Sequence, residues 1–227
     1  MSSSEATFAV KNLPLFAGMT REQLDDLAAN ASVRTYGKGQ MVVRQDELVR
    51  GLSVLLSGRI KLFKLSPEGR EQTIYHFGPG EPFCLMSMFE DHSMPANVAA
   101  LEESRVLMVS GPGFERMVKG DPAVLFNILL VVSRRLKEAM SLIESLSLRE
   151  IPGRVAAYLL HPPADGASSR IRLPVTHREL AKIVGATPEA LSRALRKLAD
   201  DGVLTVDGRD ITVLDRPAME RLANGLD

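Results

Sequence analysis

Cysteine is nearly absent: Cys84 is the single one in 227 residues. An internal disulfide is thereby excluded, and so is an iron–sulfur cluster held by four cysteines of one chain. Neither sign of charge dominates, since 28 Lys and Arg face 28 Asp and Glu. The whole chain therefore has no net pull on nucleic acid, and any such interface must be a local basic face. No uncharged apolar run approaches the roughly 18 residues of a membrane-spanning helix. The opening segment, MSSSEATFAV, lacks the basic start and apolar stretch of a secretory signal, so the expected compartment is the cytoplasm, with no membrane partner. No spacing pairs a nucleophile with a base, cradles a phosphate in a glycine loop or sets histidines for a metal. An enzyme is not expected. What the chain does have is apolar bulk, 45% of its residues, enough for a substantial core.

Three zones of different periodicity follow one another. After a short helical start at Arg21 to Ala29, residues from about Val33 to Val109 read as short strands. Their runs include Gln40–Arg44, Leu52–Leu56, Arg59–Leu65, Glu71–Phe77 and Arg105–Ser110, separated by turn signals at Gly37–Gly39, Ser57–Gly58, Ser66–Gly69 and Gly78–Gly80. Strands at this spacing predict an antiparallel barrel or sandwich. The second zone opens at Asp121–Pro122, a cap followed by proline at the first helical position. Leu125, Leu129, Val132, Leu136, Ala139, Ile143 and Leu146 then recur in steps of four and three. Such a narrow seam suits a partner helix better than a wide core, and predicts a coiled-coil dimer. The alternative is a long helix lying on its own barrel. Ile151-Pro152-Gly153 is expected to break the helix and act as a hinge. A shorter helix from Arg154 to Leu160 and a loop from His161 to Gly166 follow. The domain limits read in this way are 1–120, 121–150 and 151–227.

The third zone carries the sharpest pattern. Thr176-His177-Arg178-Glu179 has the form of a capping box before a short helix with Leu180, Ile183 and Val184. Gly185 permits a turn, and Thr187 caps a second helix with Pro188 at its first position. Leu191, Leu195 and Leu198 mark its buried face; Glu189, Ser192, Arg193, Arg196 and Lys197 mark the opposite one. Helix, glycine turn, helix is the helix-turn-helix arrangement, whose second helix enters the major groove of double-stranded DNA. There Arg193 suits guanine, Glu189 suits the cytosine amine, and Ser192 suits base or phosphate. Arg178, Arg196 and Lys197 are candidate phosphate contacts, with Thr187 among the interface residues. Two apolar strands joined through Asp207-Gly208 follow as a wing.

At these residues the chain resembles the CRP/FNR superfamily of transcription regulators. The likeness runs from Leu15–Phe16 to Leu214. It rests on the Ser57–Gly58 turn, the Ser66-Pro67-Glu68-Gly69-Arg70-Glu71 hairpin, Gly78-Pro79-Gly80-Glu81, the heptad helix and the final helices. It implies an α+β fold: an N-terminal cupin-like β jelly-roll sensor of the cyclic-nucleotide-binding type, a long dimerisation helix and a C-terminal winged helix-turn-helix. Glu189, Ser192 and Arg193 match the Glu-x-x-Ser-Arg pattern of the FNR branch. A homodimer on a TTGA-like inverted repeat is implied, with RNA polymerase as a further partner. Pro188 leaves the outer base of the half-site open.

The resemblance also sorts the effectors. Cyclic-AMP-binding members use a glutamate for the ribose and an Arg-Ser pair for the phosphate. The matching positions here are Leu85 and the stretch Ser93-Met94-Pro95-Ala96-Asn97, so cAMP is not expected, and no N-terminal cysteines exist for an iron–sulfur cluster. Phe83-Cys84-Leu85-Met86-Ser87 looks like the haem-ligand segment of the carbon-monoxide-sensing member. The chain as a whole looks closer to the haem-dependent regulators that respond to nitric oxide and nitrosative stress. Candidate pocket or haem-iron residues are Cys84, Met86, His76, His92 and Met140. Direct redox chemistry at Cys84 and a small organic effector without haem stay open beside haem. A sensor that acts by protein contact, with a degenerate DNA domain, is the other class of function.

Overall fold

The computed structural model describes residues 3–88, 92–120, 122–160 and 169–225. The Asp121 cap, the side chain of Met86 and the loop from His161 to Gly166 lie outside the described residues. The chain folds as two compact units, residues 1–69 with 73–136, and residues 70–72 with 137–227.

The first unit opens with α1 (Ser3–Asn12) and α2 (Arg21–Ala29). Thr20 and Gln23 form a complete capping box at the start of α2. Eight strands follow: β1 (Ala31–Tyr36), β2 (Met41–Val43), β3 (Gly51–Ser57), β4 (Ile60–Leu65), β5 (Glu71–Phe77), β6 (Pro82–Phe83), β7 (Asn97–Ala100) and β8 (Ser104–Ser110). They form two four-stranded sheets, β1-β8-β3-β6 and β2-β7-β4-β5. The pairings of β8 with β1 and β3, and of β7 with β2 and β4, are antiparallel. Short β6 and β7 fall outside the runs legible in the sequence.

The sheet centred on β8 is buried on both faces, which explains why that strand reads as a continuous apolar run and does not alternate. Val106 and Met108 turn toward the core that also holds Leu55, Ile60, Phe77, Phe83 and Met94. Leu107 and Val109 turn the other way, against Leu27, Phe114, Met117, Val124 and Ile128 from the helices. Among those helices is α3 (Gly111–Gly120), hidden in the sequence by its Gly-Pro-Gly start. Gly113 is required there, since a Cβ would stand 2.7 Å from Asn30 Cβ. The turn at Gly58 has φ +85° and runs 2.3 Å from the Glu103 carbonyl when a Cβ is added, so only glycine fits.

A 27-residue helix, α4 (Pro122–Leu148), follows. Val124 and Ile128 bury one stripe of it. The heptad positions lie on another stripe: Leu129 and Leu136 are each 62% exposed and Ile143 is 64% exposed, with Leu125 and Val132 also exposed and Ala139 and Leu146 half-buried. Phe126, Leu130 and Met140 widen that exposed apolar face.

In the second unit α5 spans Ile151–Leu160. The expected hinge at Ile151-Pro152-Gly153 is instead the first turn of this helix. A proline there loses only an N–H that has no helical partner, and Gly153 is buried where an added Cβ would stand 2.7 Å from the Leu222 carbonyl oxygen. The break falls at Arg149–Glu150. Then come β9 (Arg170–Arg172), α6 (His177–Ile183), α7 (Pro188–Asp200), β10 (Leu204–Asp207), β11 (Asp210–Val213) and α8 (Arg216–Ala223). The strands form a sheet in the order β10-β11-β9. Val155, Leu159, Leu180, Leu191, Leu198, Ile211 and Met219 fill the core. Asp207 pairs with Asp210, so the wing turn is Gly208–Arg209, one residue later than the Asp-Gly pair suggested.

Candidate nucleic-acid interface and sensor core

Thr176 Oγ1 accepts from the Glu179 amide at 3.3 Å, which starts α6. Glu179 is itself buried, and its carboxylate lies 3.5 Å from Lys182 Nζ. Gly185, at φ +64°, supplies the left-handed residue that turns the chain. Thr187 Oγ1 accepts from the Ala190 amide at 3.2 Å, with Pro188 in the first turn of α7. The Thr187 hydroxyl thus positions the recognition helix before any contact with a ligand.

The sequence of α7 divides it cleanly. Leu191, Ala194, Leu195 and Leu198 are buried, while Glu189, Ser192, Arg193, Arg196 and Lys197 are exposed, as are Thr187 and Arg178. Glu189 is held below the usual carboxylate range by its own backbone N–H, then by the Thr187 hydroxyl and the Arg193 charge. At neutral pH it is an ionised acceptor beside a guanidinium, which suits a groove edge carrying both a donor and acceptors.

Three groups of arginines escaped the sequence reading. Arg209 is exposed at the tip of the wing turn. Arg170 and Arg172 are exposed on β9, with Arg170 3.6 Å from Asp210. Arg154 on α5 donates to the carbonyls of Leu146 at 3.1 Å and Arg149 at 2.8 Å, and to those of Val184 at 3.2 Å and Gly185 at 3.4 Å. It therefore satisfies orphan carbonyls at the ends of both α4 and α6, joining the long helix to the reading head. The Arg209 position was legible from the hairpin; the role of Arg154 was not, because its partners are remote in sequence.

The sensor candidates that the structure describes sit in different surroundings. Cys84 is buried in the core with Phe77, Phe83 and Met94. Burial first, and the Glu47 charge second, push its thiol up to about 12, against a smaller opposing pull from Arg135. A thiol so protonated is a poor nucleophile and a poor metal ligand. His76 is half-buried on β5. His92 is half-buried, and its Nδ1–H donates to the Ser87 carbonyl at 2.8 Å. Met140 is exposed on α4. Among the described residues no three His, Cys, Asp or Glu side chains gather as a metal site. Of these candidates, Cys84, buried and held protonated, does not fit a haem-iron thiolate as it stands. At the cyclic-nucleotide positions, Leu85 and Ala96 are buried and apolar, and neither side chain can bond a ribose hydroxyl or a phosphate. Arg135 is the notable cation of this unit, with its guanidinium over the rings of Phe77 at 4.8 Å and Tyr75 at 5.1 Å and donating to the Pro82 carbonyl. No described helix is long and apolar enough to cross a membrane.

Comparison with known proteins covers both units. Residues 33–121 match the cyclic nucleotide-binding domain, and residues 153–222 match the Crp-like helix-turn-helix domain. The chain is 30% identical over 217 residues to the cyclic AMP receptor protein of Thermus thermophilus, spanning 96% of this chain and 100% of that protein. It is 28% identical over 193 residues to the nitrogen fixation regulation protein FixK of Bradyrhizobium diazoefficiens, spanning 83% and 80% of the two chains. The structure of FixK2 from Bradyrhizobium japonicum superposes with a TM-score of 0.71 at 24% identity, covering 85% of this chain and 96% of that one. At that identity the likeness is one of fold. Relatives of this kind are regulators and not enzymes, and the chain belongs to the CRP/FNR family of DNA-binding transcription regulators.

Proposed function

We propose that the chain acts as an effector-responsive homodimer in the cytoplasm, reading an inverted repeat with TTGA-like half-sites and contacting RNA polymerase when bound. The observation that carries the DNA reading is α7: every apolar residue of its buried stripe is packed, while Glu189, Ser192 and Arg193 stand exposed on one face. A DNA domain that had degenerated into a protein-contact module would have no reason to keep that set. The exposed seam of α4 supports the dimer. Two recognition helices on one operator need half-sites about 34 Å apart, and a shared helix pair is a means of setting such a distance.

The domain limits proposed are a sensor over 1–120, a dimerisation helix over 121–150 and a DNA-binding domain over 151–227. For the signal, a response to nitric oxide or redox stress through haem rests on Cys84, Met86 and His76. The burial of Cys84 and its raised thiol favour the other reading, a small organic effector without haem.

Fluorescence anisotropy on duplexes tests the operator. An inverted TTGA repeat should bind at least tenfold tighter than a scrambled duplex, and Arg193→Ala should erase most of the difference, a loss of about 1–3 kcal/mol per guanine contact. Equal affinity for both duplexes would sink the claim. A haem titration followed by absorbance tests the signal: no saturable Soret band is expected, and one band per protomer would restore haem.

A further inference from the structure

Arg154 is half-buried on α5, and every nitrogen of its guanidinium donates to a backbone carbonyl. Nε reaches Arg149 at 2.8 Å and Nη2 reaches Leu146 at 3.1 Å, at the exit of α4. Nη1 reaches Val184 at 3.2 Å and Gly185 at 3.4 Å, at the exit of α6. The group is planar and its donors form a rigid fork, so it fixes one helix end against the other in angle as well as distance. Its root is held too. The Arg154 amide donates to the Glu150 carbonyl at 2.9 Å, and Gly153 beside it has no room for a Cβ against Leu222.

Both ends of this clamp lead to parts that bear on DNA. Leu146 is the last position of the apolar seam, and its side chain lies against the turn: a Cβ on Gly185 would stand 2.7 Å from Leu146 Cδ2. From Gly185 the chain runs directly into α7. The Ala186 amide closes the turn on the Ala181 carbonyl at 2.8 Å, and Thr187 caps the recognition helix. Leu180 of α6 and Leu191 of α7 share one core. A displacement at Gly185 is therefore passed to α7 as a whole.

We propose that Arg154 sets the half-site spacing that the dimer accepts. It is a positioning residue: it acts through the turn, by fixing the angle of each recognition helix to the seam. The inference rests on the DNA-binding homodimer proposed above and adds a determinant of specificity to it. Preference for bases within a half-site belongs to the exposed face of α7; the distance between half-sites belongs to whatever holds the two helices in place. One inserted base pair moves a half-site by about 3.4 Å and turns it by about a tenth of a turn. A helix clamped at a fixed angle cannot follow that movement, and a loosened one can. Lysine keeps the charge and a flexible stem but lacks the planar fork, so it cannot hold both helix ends at one angle.

The test is anisotropy on the full-length protein with TTGA inverted repeats whose centre is lengthened or shortened by single base pairs, and with a duplex carrying one half-site. Wild type, R154K and R154A are compared, with thermal melting to show that each is folded and sedimentation to show that each is a dimer. R154K, which keeps the stem and the charge, carries the test if R154A melts out. Wild type should lose at least about tenfold in affinity for each base pair away from its preferred spacing, as simultaneous engagement of both half-sites fails. The variants should lose less than about threefold, chiefly through weaker binding at the preferred spacing. On the single half-site they should match wild type within about twofold, because α7 is unchanged. A folded, dimeric variant with the wild-type spacing profile overturns this proposal alone. So does an equal loss on every duplex, the single half-site included, which is what a merely structural role would give. A wild type that sediments as a monomer, or that prefers no TTGA repeat over scrambled DNA at any spacing, overturns the dimeric DNA reading, and this proposal with it.

Discussion

A lone cysteine invites a redox role, and the surroundings of Cys84 argue against one. Its thiol is buried among aromatic and aliphatic side chains, and burial pushes it up to about 12 from an ordinary 9.0. At about pH 8 the thiolate is then scarcer than in an ordinary cysteine by a factor on the order of 10³. The folded protein should react with a disulfide reagent at least about a hundredfold more slowly than the protein unfolded in denaturant, measured by thiolate release. Comparable rates would show an accessible, activated thiol and revive the redox reading. The same shift makes a stability statement. Between about 9 and about 12 the unfolded chain loses the proton while the folded chain keeps it, so stability must fall as pH rises through that window. Denaturant midpoints over this range should fall more steeply in wild type than in Cys84→Ala. At this scale the exposed face of α7 was readable from helical spacing, because exposed and buried positions there follow the period of the helix. Arg135 and Arg154 were not, since their meaning lies in rings and carbonyls supplied by other elements.

Among the elements, α5 shows where local rules and packing disagree. Propensity alone says that Gly153→Ala should help a helix by about 1 kcal/mol. The added Cβ would meet the Leu222 carbonyl at 2.7 Å, a backbone atom of the segment that ends α8, with no flexible tip to move aside. Overpacking of this kind costs about 1–3 kcal/mol, so the expected net effect is destabilisation. Chemical denaturation with the midpoint read by circular dichroism checks the sign; a more stable variant would mean that α8 yields easily. The expected hinge fails for the same reason. Pro-Gly reads as a break when seen alone, but at the first turn of a helix it is tolerated, and here the glycine is held against a neighbour. Helix α3 was missed through the mirror image of that error, its Gly-Pro-Gly start masking a helix that the core requires.

For the molecule as a whole, the central expectation is association along α4. An exposed face with Leu125, Leu129, Val132, Leu136, Met140 and Ile143 on one helix is too apolar to stay in water. Joint substitution of Leu129 and Leu136 by aspartate should leave the far-ultraviolet spectrum near wild type and halve the sedimenting mass. It should also weaken operator binding by at least about a hundredfold, since each monomer holds only one half-site and loses the effective concentration of the second. A variant that still sediments as a dimer would move the interface elsewhere.

By itself the sequence determined what periodicity and end chemistry can carry: an all-β segment, a long helix with a seam, and a capped helix pair followed by a hairpin. Those signals are local, and each residue declares its side by its spacing. Tertiary structure alone decided the rest. It placed α1, α3, α8 and the short strands β6, β7 and β9, whose own signals are too brief to stand without a core. It turned Ile151-Pro152-Gly153 from a hinge into a packed helical turn. It also buried Cys84 and left His177 Nε2 without a hydrogen-bond partner among the described residues, because burial and pairing depend on residues far away in the chain, which no local pattern records.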